Sequence, residues 1–330
     1  MSTKDSVAIL GAGSWGTAVA IFLAEKGHPV LLWSKDHDHV QSMQAQQCNE
    51  RYLPNICFPQ QLTVSADLED CVATATHVLI AVPSHAFATV LDKIKKPKHG
   101  LAWLTKGIDP KNHQLLSELV KEKWGESYPT AVISGPSFAK EVAAGLPTAL
   151  VVASVHPDYQ QAIRNLLHAP NMRVYVSDDI NGVQLCGVVK NILAIACGIS
   201  DGIGYGANAK AALITRGLAE MQRLLTTYNA RIETCLGLAG VGDLVLTCTD
   251  NQSRNRRFGL LLGQGIEATQ AEKTIGQVVE GKHNAAQVCA LAKQHHIEMP
   301  ICQEVEAVLS LKRSPQEAVS LLMSRPPKEE

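Results

Sequence analysis

The stretch SVAILGAGSWG, residues 6–16, decides the fold of the first part of the chain. Residues 6–10 form a short apolar run of the kind found in strands that are buried on both faces. Three glycines follow at G-x-G-x-x-G spacing. Gly11 would permit a tight turn, Gly13 would let the backbone approach a pyrophosphate, and Gly16 would let a helix pack on the strand. The stretch predicts a dinucleotide site at a helix N-terminus, although a purely structural glycine turn has the same spacing.

A helix and a second strand complete this first unit of structure. The helix is expected to run to Lys26 and to stop at Gly27, and PVLLW at 29–33 is the second strand. Strand and helix patterns keep alternating after it, which predicts a mostly parallel, doubly wound α/β sheet of the Rossmann-like kind. Further strands are predicted at 77–82, 101–105, 130–134, 149–154 and 172–176, with helices at 84–95 and 113–123.

The strand patterns stop near residue 180, and the rest of the chain is predicted to be helical. The sequence therefore predicts an α/β fold followed by an all-α fold. We expect a dinucleotide-binding domain at 1–180 and an all-helical substrate and catalytic domain at 181–330. Helices are predicted at 181–199, 208–228, 254–263, 281–295 and 301–322.

Composition narrows the class of protein. The chain has 330 residues, 46% of them hydrophobic and 18% charged, with a net charge of -1, so it has no basic field for nucleic acid or an anionic membrane. Nine cysteines without a C-x-x-C pair argue against a disulfide framework and against a structural zinc site, so no metal is expected, and they favour a reducing cytoplasm. The apolar stretch 183–199 is interpreted as a buried core helix, so no stable membrane insertion is expected.

The end of the second strand bears on the choice of cofactor. An acidic residue there would bind the ribose of NAD, and a cation would bind the extra phosphate of NADP. The sequence offers Ser34, Lys35 and Asp36. Lys35 lies nearest the expected place, which favours NADPH and leaves NADH open. A solvated surface lysine is an equally good interpretation.

Lys190 lies in the middle of the apolar stretch GVVKNILAIACGISDGIGYG, residues 187–206. Burying an unpaired ammonium costs several kcal/mol, so such a lysine needs a partner or a chemical purpose. On a helix it shares a face with the small residues Gly187 and Ala194, which leaves a notch for a small molecule. Membership of a structural ion pair is the alternative.

A second candidate segment is GLAGVGDLVLTCTDNQSRNRRFG. It is expected to place Asp243 in a glycine-flanked loop and to begin a helix just after Ser253. Arginines in a first turn oppose the helix dipole, and a bound anion would reverse the sign of that effect. This helix start predicts a phosphate clamp, although a solvated basic helix end has the same pattern. Its polar residues are Ser253, Arg254, Asn255, Arg256 and Arg257.

Two further candidates follow predicted strands. Lys106 comes directly after LAWLT, and SGPSFAKE at 134–141 places Gly135 in a turn and Ser137 at an expected helix start. Open α/β sheets bind ligands at the carboxyl ends of their strands, so both are expected to face one crevice. A surface lysine and an ordinary helix cap are the alternatives.

These motifs together resemble the bacterial NAD(P)-dependent glycerol-3-phosphate dehydrogenases over nearly the whole chain. The shared segments are GAGSWGTA, LTKGI, SGPSFAKE, GVVKNILAIACGISDGIGYGANAKAALITRGLAEM, GLAGVGDL, SRNRRFG and VVEG. One departure is Val188, where the family more often has a smaller residue, and this adds bulk near Lys190 without changing the chemistry.

The resemblance implies reversible reduction of dihydroxyacetone phosphate to sn-glycerol 3-phosphate, which supplies phospholipid synthesis. It implies Lys190 as proton donor and acceptor, with Lys106 and Asp243 tuning it. Around the substrate it implies Lys106, Gly135, Ser137, Lys190, Asp243, Ser253, Arg254 and Asn255. For the cofactor it implies Gly11, Gly13, Ser14, Trp15, Gly16, Lys35, Lys106, Ala139, Arg254, Val278 and Glu280.

Two other functions remain open on the sequence. A β-hydroxyacid dehydrogenase has a similar layout and a catalytic lysine followed by asparagine, but it gives no reason for arginines after Ser253. A dinucleotide-sensing regulator would use Lys190 only as a structural pair. A homodimer is possible for any of these functions.

Overall fold

The computed structural model describes residues 4–326, and these form two compact units. The first unit runs up to Asp109 and also contains Gln114–Ile180. The second contains Pro110–His113 and the residues from Asn181 onward.

The first unit is an α/β structure whose strands are short and mostly buried. Its elements in chain order are β1 Val7–Leu10, α1 Ser14–Glu25, β2 Val30–Trp33, α2 His37–Gln46, β3 Cys48–Asn49, β4 Leu53–Cys57, β5 Leu62–Ser65, α3 Leu68–Thr74, β6 His77–Ile80, α4 Ser84–Lys93, β7 Leu101–Trp103, α5 Leu116–Trp124, β8 Thr130–Ser134, α6 Ala139–Ala143, β9 Thr148–Ala153, α7 Pro157–Leu167 and β10 Met172–Ser177.

Eight of these strands form one sheet in the order β10-β9-β8-β7-β6-β1-β2-β5. Every neighbouring pair is parallel except β8 and β9. The chain passes from β1 to β2 on one side of β1 and later returns to β6 on the other side, so the strand order reverses at β1. In open α/β sheets this switch point is where ligands bind, at the carboxyl ends of the strands. The predicted Rossmann-like sheet is confirmed.

The sequence pattern did not reveal several short elements of this unit. The strands β3 and β4 pair as a small antiparallel ribbon outside the main sheet. The strand β5 is an edge strand of the main sheet. In β4 only Leu53 is buried, and Pro54 and Asn55 interrupt the strand, so no apolar run marks it. The helix α2 is mostly polar and buries only His39, Val40 and Met43. Elements with so little apolar surface give a weak periodic signal.

The second unit is helical throughout the part that the structure describes. Its elements are α8 Ile180–Ile203, which begins at the boundary, α9 Ala207–Thr227, α10 Ile232–Leu236, a π-helical turn Leu238–Gly242, α11 Asp243–Thr249, α12 Arg254–Gly263, α13 Ala268–Ile275, α14 Glu280–Gln294, α15 Pro300–Leu309 and α16 Pro315–Met323.

The central helix of this unit is α8. Among residues 4–326 it is the one helix long and apolar enough to cross a membrane, with a mean hydropathy of 1.7 over its most apolar window. That window is entirely buried inside the protein. Burial of this kind is typical of the core helix of a globular domain, where no lipid is needed to cover the apolar surface.

Glycines let α12 pack directly on the backbone of α8. Added methyl groups at Gly198 and Gly202 of α8 would overlap the carbonyl oxygens of Arg256 and Leu260. A methyl group at Gly259 of α12 would likewise overlap a carbonyl oxygen of α8. The two helices are therefore in backbone contact, and side chains at these positions would push them apart.

The predicted helix at 301–322 is wrong in its length, because the chain breaks into α15 and α16. Ser314 is the N-cap of α16 and accepts a hydrogen bond from the Glu317 N–H at 3.2 Å, while the Glu317 carboxylate accepts one from the Ser314 N–H at 2.8 Å. Pro315 occupies the first helical position. This capping box with proline begins a new helix, and it could have been recognised as S-P-x-E in the sequence.

Candidate active site

The glycine loop after β1 has three glycines in three different environments. Gly11 has a φ of +133°, and an added Cβ would lie 2.7 Å from the carbonyl group of Ala81, just after β6. An added Cβ at Gly16 would overlap the carbonyl oxygen of Gly11. An added Cβ at Gly13 would meet nothing within 4 Å. Packing therefore requires the first and third glycines, whereas the second faces open space.

Helix α1 begins beside this open space. Its N-cap is Gly13, which offers no side-chain cap, and the first turn holds no acidic residue. Ser14 and Trp15 are the first two helical residues. An uncapped N-terminus presents backbone N–H groups and the positive end of the helix dipole to an anion. These residues fit the pyrophosphate of a dinucleotide.

The carboxyl end of β2 carries cations beside an acid that is already engaged. Asp36 is the N-cap of α2: its carboxylate accepts the His39 N–H at 3.1 Å and pairs with Arg51 at 3.0 Å. The His39 hydrogen bond first, and then Arg51, hold the pKa of Asp36 below its usual value. Lys35 is exposed beside it. Sequence reasoning missed Arg51, because fifteen positions and a helix separate it from Asp36.

At the carboxyl ends of β7 and β8, three predicted residues lie together. The Lys106 ammonium lies 3.4 Å from the Gly135 carbonyl oxygen, and the Ser137 hydroxyl donates to the same oxygen at 3.0 Å. Gly135 has a φ of +133°, which only glycine adopts readily. The expectation that Ser137 begins the helix is wrong: Phe138 is the N-cap of α6, and Ser137 bonds back into the turn. Ala139 is the first residue of that helix.

Lys190 is buried, with 7% of its surface exposed. Its ammonium donates to a carboxylate oxygen of Asp243 at 2.9 Å and to the hydroxyl of Thr247 at 2.9 Å. The Thr247 hydroxyl in turn donates to the backbone carbonyl of Asp243 at 2.6 Å. A buried cation is tolerated when it is paired and hydrogen-bonded in this way. The structure thus brings Lys190 and Asp243 together and adds Thr247.

Asp243 does not lie in a loop, which corrects the expectation from its glycine neighbours. The segment Leu238–Gly242 forms a π-helical turn, and Asp243 is the first residue of α11. Gly240 is needed there, because a side chain would overlap the carbonyl oxygen of Cys235. Asp243 and Thr247 lie four residues apart on one face of α11. That spacing was the signal for Thr247, but it is meaningful only if the segment is helical.

Asn191, next to Lys190, belongs to a polar network rather than to the lysine. The Asn255 side chain donates to the Asn191 side-chain oxygen at 2.9 Å and accepts the Gly281 N–H at 2.9 Å. Asn191 also lies 3.4 Å from the Glu280 carboxylate. Both ends of the buried Asn255 amide are therefore used in joining α8, α12 and α14. Its side chain holds the helices together, and its backbone N–H remains at the start of α12.

The start of α12 carries the predicted arginines in three different settings. Arg254 is half-buried and donates to the Gln277 side chain at 3.1 Å. Arg256 is buried and pairs with Asp201, so it does not belong to an anion clamp. Arg257 is exposed. Ser253 is the N-cap, and its hydroxyl accepts the Arg256 N–H at 3.2 Å. Of the three arginines expected to form the phosphate clamp, Arg256 is therefore already paired and is not available to an anion at this helix start.

The last two predicted cofactor residues lie at the start of α14. Val278 is 37% exposed, and Glu280 is the first residue of the helix. No group of three or more His, Cys, Asp or Glu side chains within residues 4–326 is arranged to hold a metal ion.

Two matches cover most of the chain. Residues 6–160 match the N-terminus of NAD-dependent glycerol-3-phosphate dehydrogenase, and residues 179–320 match its C-terminus. The chain belongs to this family. The resemblance drawn from the motifs is confirmed, and the hydroxyacid-dehydrogenase and regulator interpretations are set aside.

Relatives in the glycerol-3-phosphate dehydrogenase family match from end to end. An enzyme of Legionella pneumophila strain Corby, glycerol-3-phosphate dehydrogenase [NAD(P)+], is 64% identical over 327 residues, 99% of each chain. The corresponding enzyme of Aeromonas hydrophila is 50% identical over the whole of both chains. The crystal structure of glycerol-3-phosphate dehydrogenase from Coxiella burnetii has a TM-score of 0.94 and 52% identity, covering 98% of this chain and 100% of that one.

Proposed function

We propose that the protein is an NAD(P)-dependent oxidoreductase that reversibly reduces dihydroxyacetone phosphate to sn-glycerol 3-phosphate for glycerophospholipid synthesis. Membership of the NAD-dependent glycerol-3-phosphate dehydrogenase family supports the reaction. The observation that carries the chemistry is the buried Lys190 ammonium, held by Asp243 and Thr247. A globular domain places a lysine inside an apolar helix at a cost, and proton transfer is a purpose that justifies it.

Lys190 is proposed as the proton donor in reduction and the acceptor in oxidation. When bound, the nicotinamide supplies the hydride that adds to the carbonyl carbon of the ketone. The ammonium stabilises the negative charge that develops on the carbonyl oxygen and then protonates it. Asp243 and Thr247 fix two of its N–H directions, which sets the orientation of the nitrogen. Thr247 is proposed as an orienting residue that the sequence did not reveal.

Binding of the phosphorylated substrate is proposed for two places. In the second unit the start of α12 offers the Arg254 guanidinium and the backbone N–H groups that follow Ser253, with Asn255 among them. A helix N-terminus and a forked guanidinium suit a phosphate. In the first unit Lys106, Gly135 and Ser137 share one carbonyl oxygen, and we propose that this cluster binds substrate at the edge of the sheet.

The cofactor is NAD(P), and we propose that the glycine loop and the N-terminus of α1 hold its pyrophosphate. We propose a preference for NADPH, with NADH also accepted. The support is that Asp36 is already paired with His39 and Arg51, while Lys35 leaves an exposed cation at the end of β2. Ala139, Val278 and Glu280 are proposed as further cofactor contacts.

We also propose a separate function for each of the two parts of the chain. Residues 1–180 would bind the dinucleotide, and 181–330 would carry the substrate and catalytic groups, in keeping with the two matches at 6–160 and 179–320. We further propose a cytoplasmic location, and a homodimer is possible.

The direct test is oxidation of NADPH by the purified protein. Dihydroxyacetone phosphate should support turnover, and unphosphorylated dihydroxyacetone should support little, because it gives the α12 site nothing to bind. Equal rates with the two ketones would contradict the proposed substrate. Parallel titrations with NADPH and NADH would measure the cofactor preference.

A further inference from the structure

The second unit has a groove of about 520 Å³ between α9, α15 and α16. Its walls are aliphatic, and each helix contributes residues from one face. A volume of this size and an apolar lining are typical of sites for small organic ligands. The main wall residues are Leu213, Ile301, Val305, Val308, Val319 and Leu322.

The groove lies away from the catalytic lysine. Its floor is formed by α8, through Ile199 and Ser200 among others. Ile199 follows Lys190 by nine residues, about two and a half turns of a helix, which places it on the opposite face of α8 from Lys190. Ile199 therefore faces away from the Lys190 ammonium. None of Lys190, Asp243 and Arg254 lines the groove, so the groove is not part of the proposed active site.

Ser200 gives the floor an unsatisfied polar atom. Its side chain is 2% exposed, and its hydroxyl has no hydrogen-bond partner among residues 4–326. A buried hydroxyl without a partner costs about 1–3 kcal/mol. A ligand oxygen in the groove would remove that cost.

The negative charges around the groove are already engaged. The buried Glu220 carboxylate accepts the N–H groups of Ile301 and Cys302 at 2.6 and 3.2 Å. Glu298 pairs with Arg325 at 3.1 Å, and Glu304 pairs with Arg313 at 3.1 Å. These carboxylates are therefore held by protein donors.

One arginine, at the solvent-exposed opening of the groove, has a different environment. Arg216 is exposed on the same face of α9 as Leu213, and within the described residues 4–326 it has no hydrogen-bond or ion-pair partner. Arg223, about two turns further along α9, already donates to the Glu298 carbonyl at 2.8 Å. The mouth is thus positive at Arg216, which complements an anionic group on an otherwise apolar ligand.

We propose that this groove binds a fatty acid whose chain carries one hydroxyl or keto oxygen. The carboxylate pairs with Arg216, the chain lies along the aliphatic walls, and the chain oxygen bonds to the Ser200 hydroxyl. This site is additional to the proposed dehydrogenase activity and does not depend on it.

The test is calorimetric titration of the full-length protein with tetradecanoic acid and with hydroxytetradecanoic acids that carry the hydroxyl at different positions, below their micelle concentrations. At least one hydroxy acid should bind about three- to tenfold more tightly than the plain acid, the ratio expected for one added hydrogen bond. Ser200→Ala should abolish that ratio while leaving the affinity for the plain acid unchanged.

Arg216→Gln should weaken every acid about tenfold, since it removes a charge-assisted hydrogen bond. Arg257→Gln, which removes an exposed arginine outside the groove, is the matched control, and thermal denaturation checks that each variant folds. Binding unaffected by Ser200→Ala and Arg216→Gln would overturn the proposal. So would a wild-type dimer, seen by sedimentation, that Leu322→Asp converts to a monomer, because a second copy would then fill the groove.

Discussion

The glycine loop after β1 offers bare backbone, whereas the site around Lys190 is made of side chains. At Gly13 the loop leaves open space beside the start of α1. Lys190, Asp243 and Thr247 instead fill their space and satisfy one another. Backbone N–H groups can bind phosphate with many different side chains around them. A buried ammonium, in contrast, stays charged and correctly oriented only if its carboxylate and hydroxyl partners are present. The first region should therefore tolerate change everywhere except in its glycines, and the second should fail when any partner is altered.

The largest effect is expected from Lys190→Ala. Loss of the proton donor should lower turnover at least ~10²-fold, and dinucleotide affinity should not change because the glycine loop is untouched. Initial rates and cofactor fluorescence titration measure the two quantities. Lys210→Ala is the control, since Lys210 pairs with Asp201 outside this site. Near-normal turnover of the Lys190 variant would end the proton-transfer proposal.

Arg254→Ala tests whether a side chain also governs substrate binding. It should raise the KM for dihydroxyacetone phosphate about tenfold or more, the usual loss for a charge-assisted hydrogen bond. The exposed Arg257→Ala should leave KM within twofold, about the scatter of surface changes. An equal effect of Arg254→Ala on dihydroxyacetone would show that this guanidinium does not hold the phosphate.

Gly198→Ala tests whether the helical unit, like the glycine loop, is destabilised by one added methyl group. The added methyl group would overlap the Arg256 carbonyl oxygen, so we expect the free energy of unfolding to fall by about 1–3 kcal/mol. Urea denaturation measures it. Gly206→Ala is the comparison variant: nothing lies within 4 Å of its added Cβ, so it should lose only the small preference for glycine at the N-cap of α9. Equal stability of the two variants would contradict the close packing of α8 and α12.

Gly13→Ala and Gly16→Ala separate two tasks within one loop. The first should weaken dinucleotide binding about tenfold with little change in stability, because its methyl group enters the open space where we propose that the pyrophosphate binds. The second should also destabilise the protein, because it overlaps the Gly11 carbonyl oxygen. Fluorescence titration and thermal denaturation distinguish them. Unchanged affinity in Gly13→Ala would place the pyrophosphate elsewhere.

The smallest effect concerns His77 at the start of β6. Burial lowers its pKa from 6.5, and this outweighs the opposing influence of Asp5. The folded protein therefore binds this proton less readily than the unfolded chain. Stability should fall as the pH drops below 6.5 towards the lowered value. His77→Gln should flatten that dependence in denaturation at several pH values, and the exposed His168→Gln should not.

The sequence revealed features that depend on local spacing. The G-x-G-x-x-G spacing was sufficient for the loop, and the lack of other charges around Lys190 was sufficient to expect its burial. Contacts between distant positions could not be predicted in the same way. Nothing near Arg256 in the sequence points to Asp201, so the sequence pattern does not distinguish it from Arg254 and Arg257. Thr247 was missed because glycines suggested a loop where the chain forms a π-helical turn and then α11.

The close packing of α8 and α12 at their glycines also fixes the distance between two proposed active-site residues. Because carbonyl oxygens of each helix lie where a methyl group of the other would be, neither helix can slide along the other without a steric clash. Lys190 is on α8, and Arg254 begins α12, so this packing, together with the hydrogen bond between Asn255 and Asn191, fixes the distance between them. With the proposed roles of Lys190 and Arg254, this fixed distance favours a short substrate, and acceptance of a longer one is expected to require changes at these glycines.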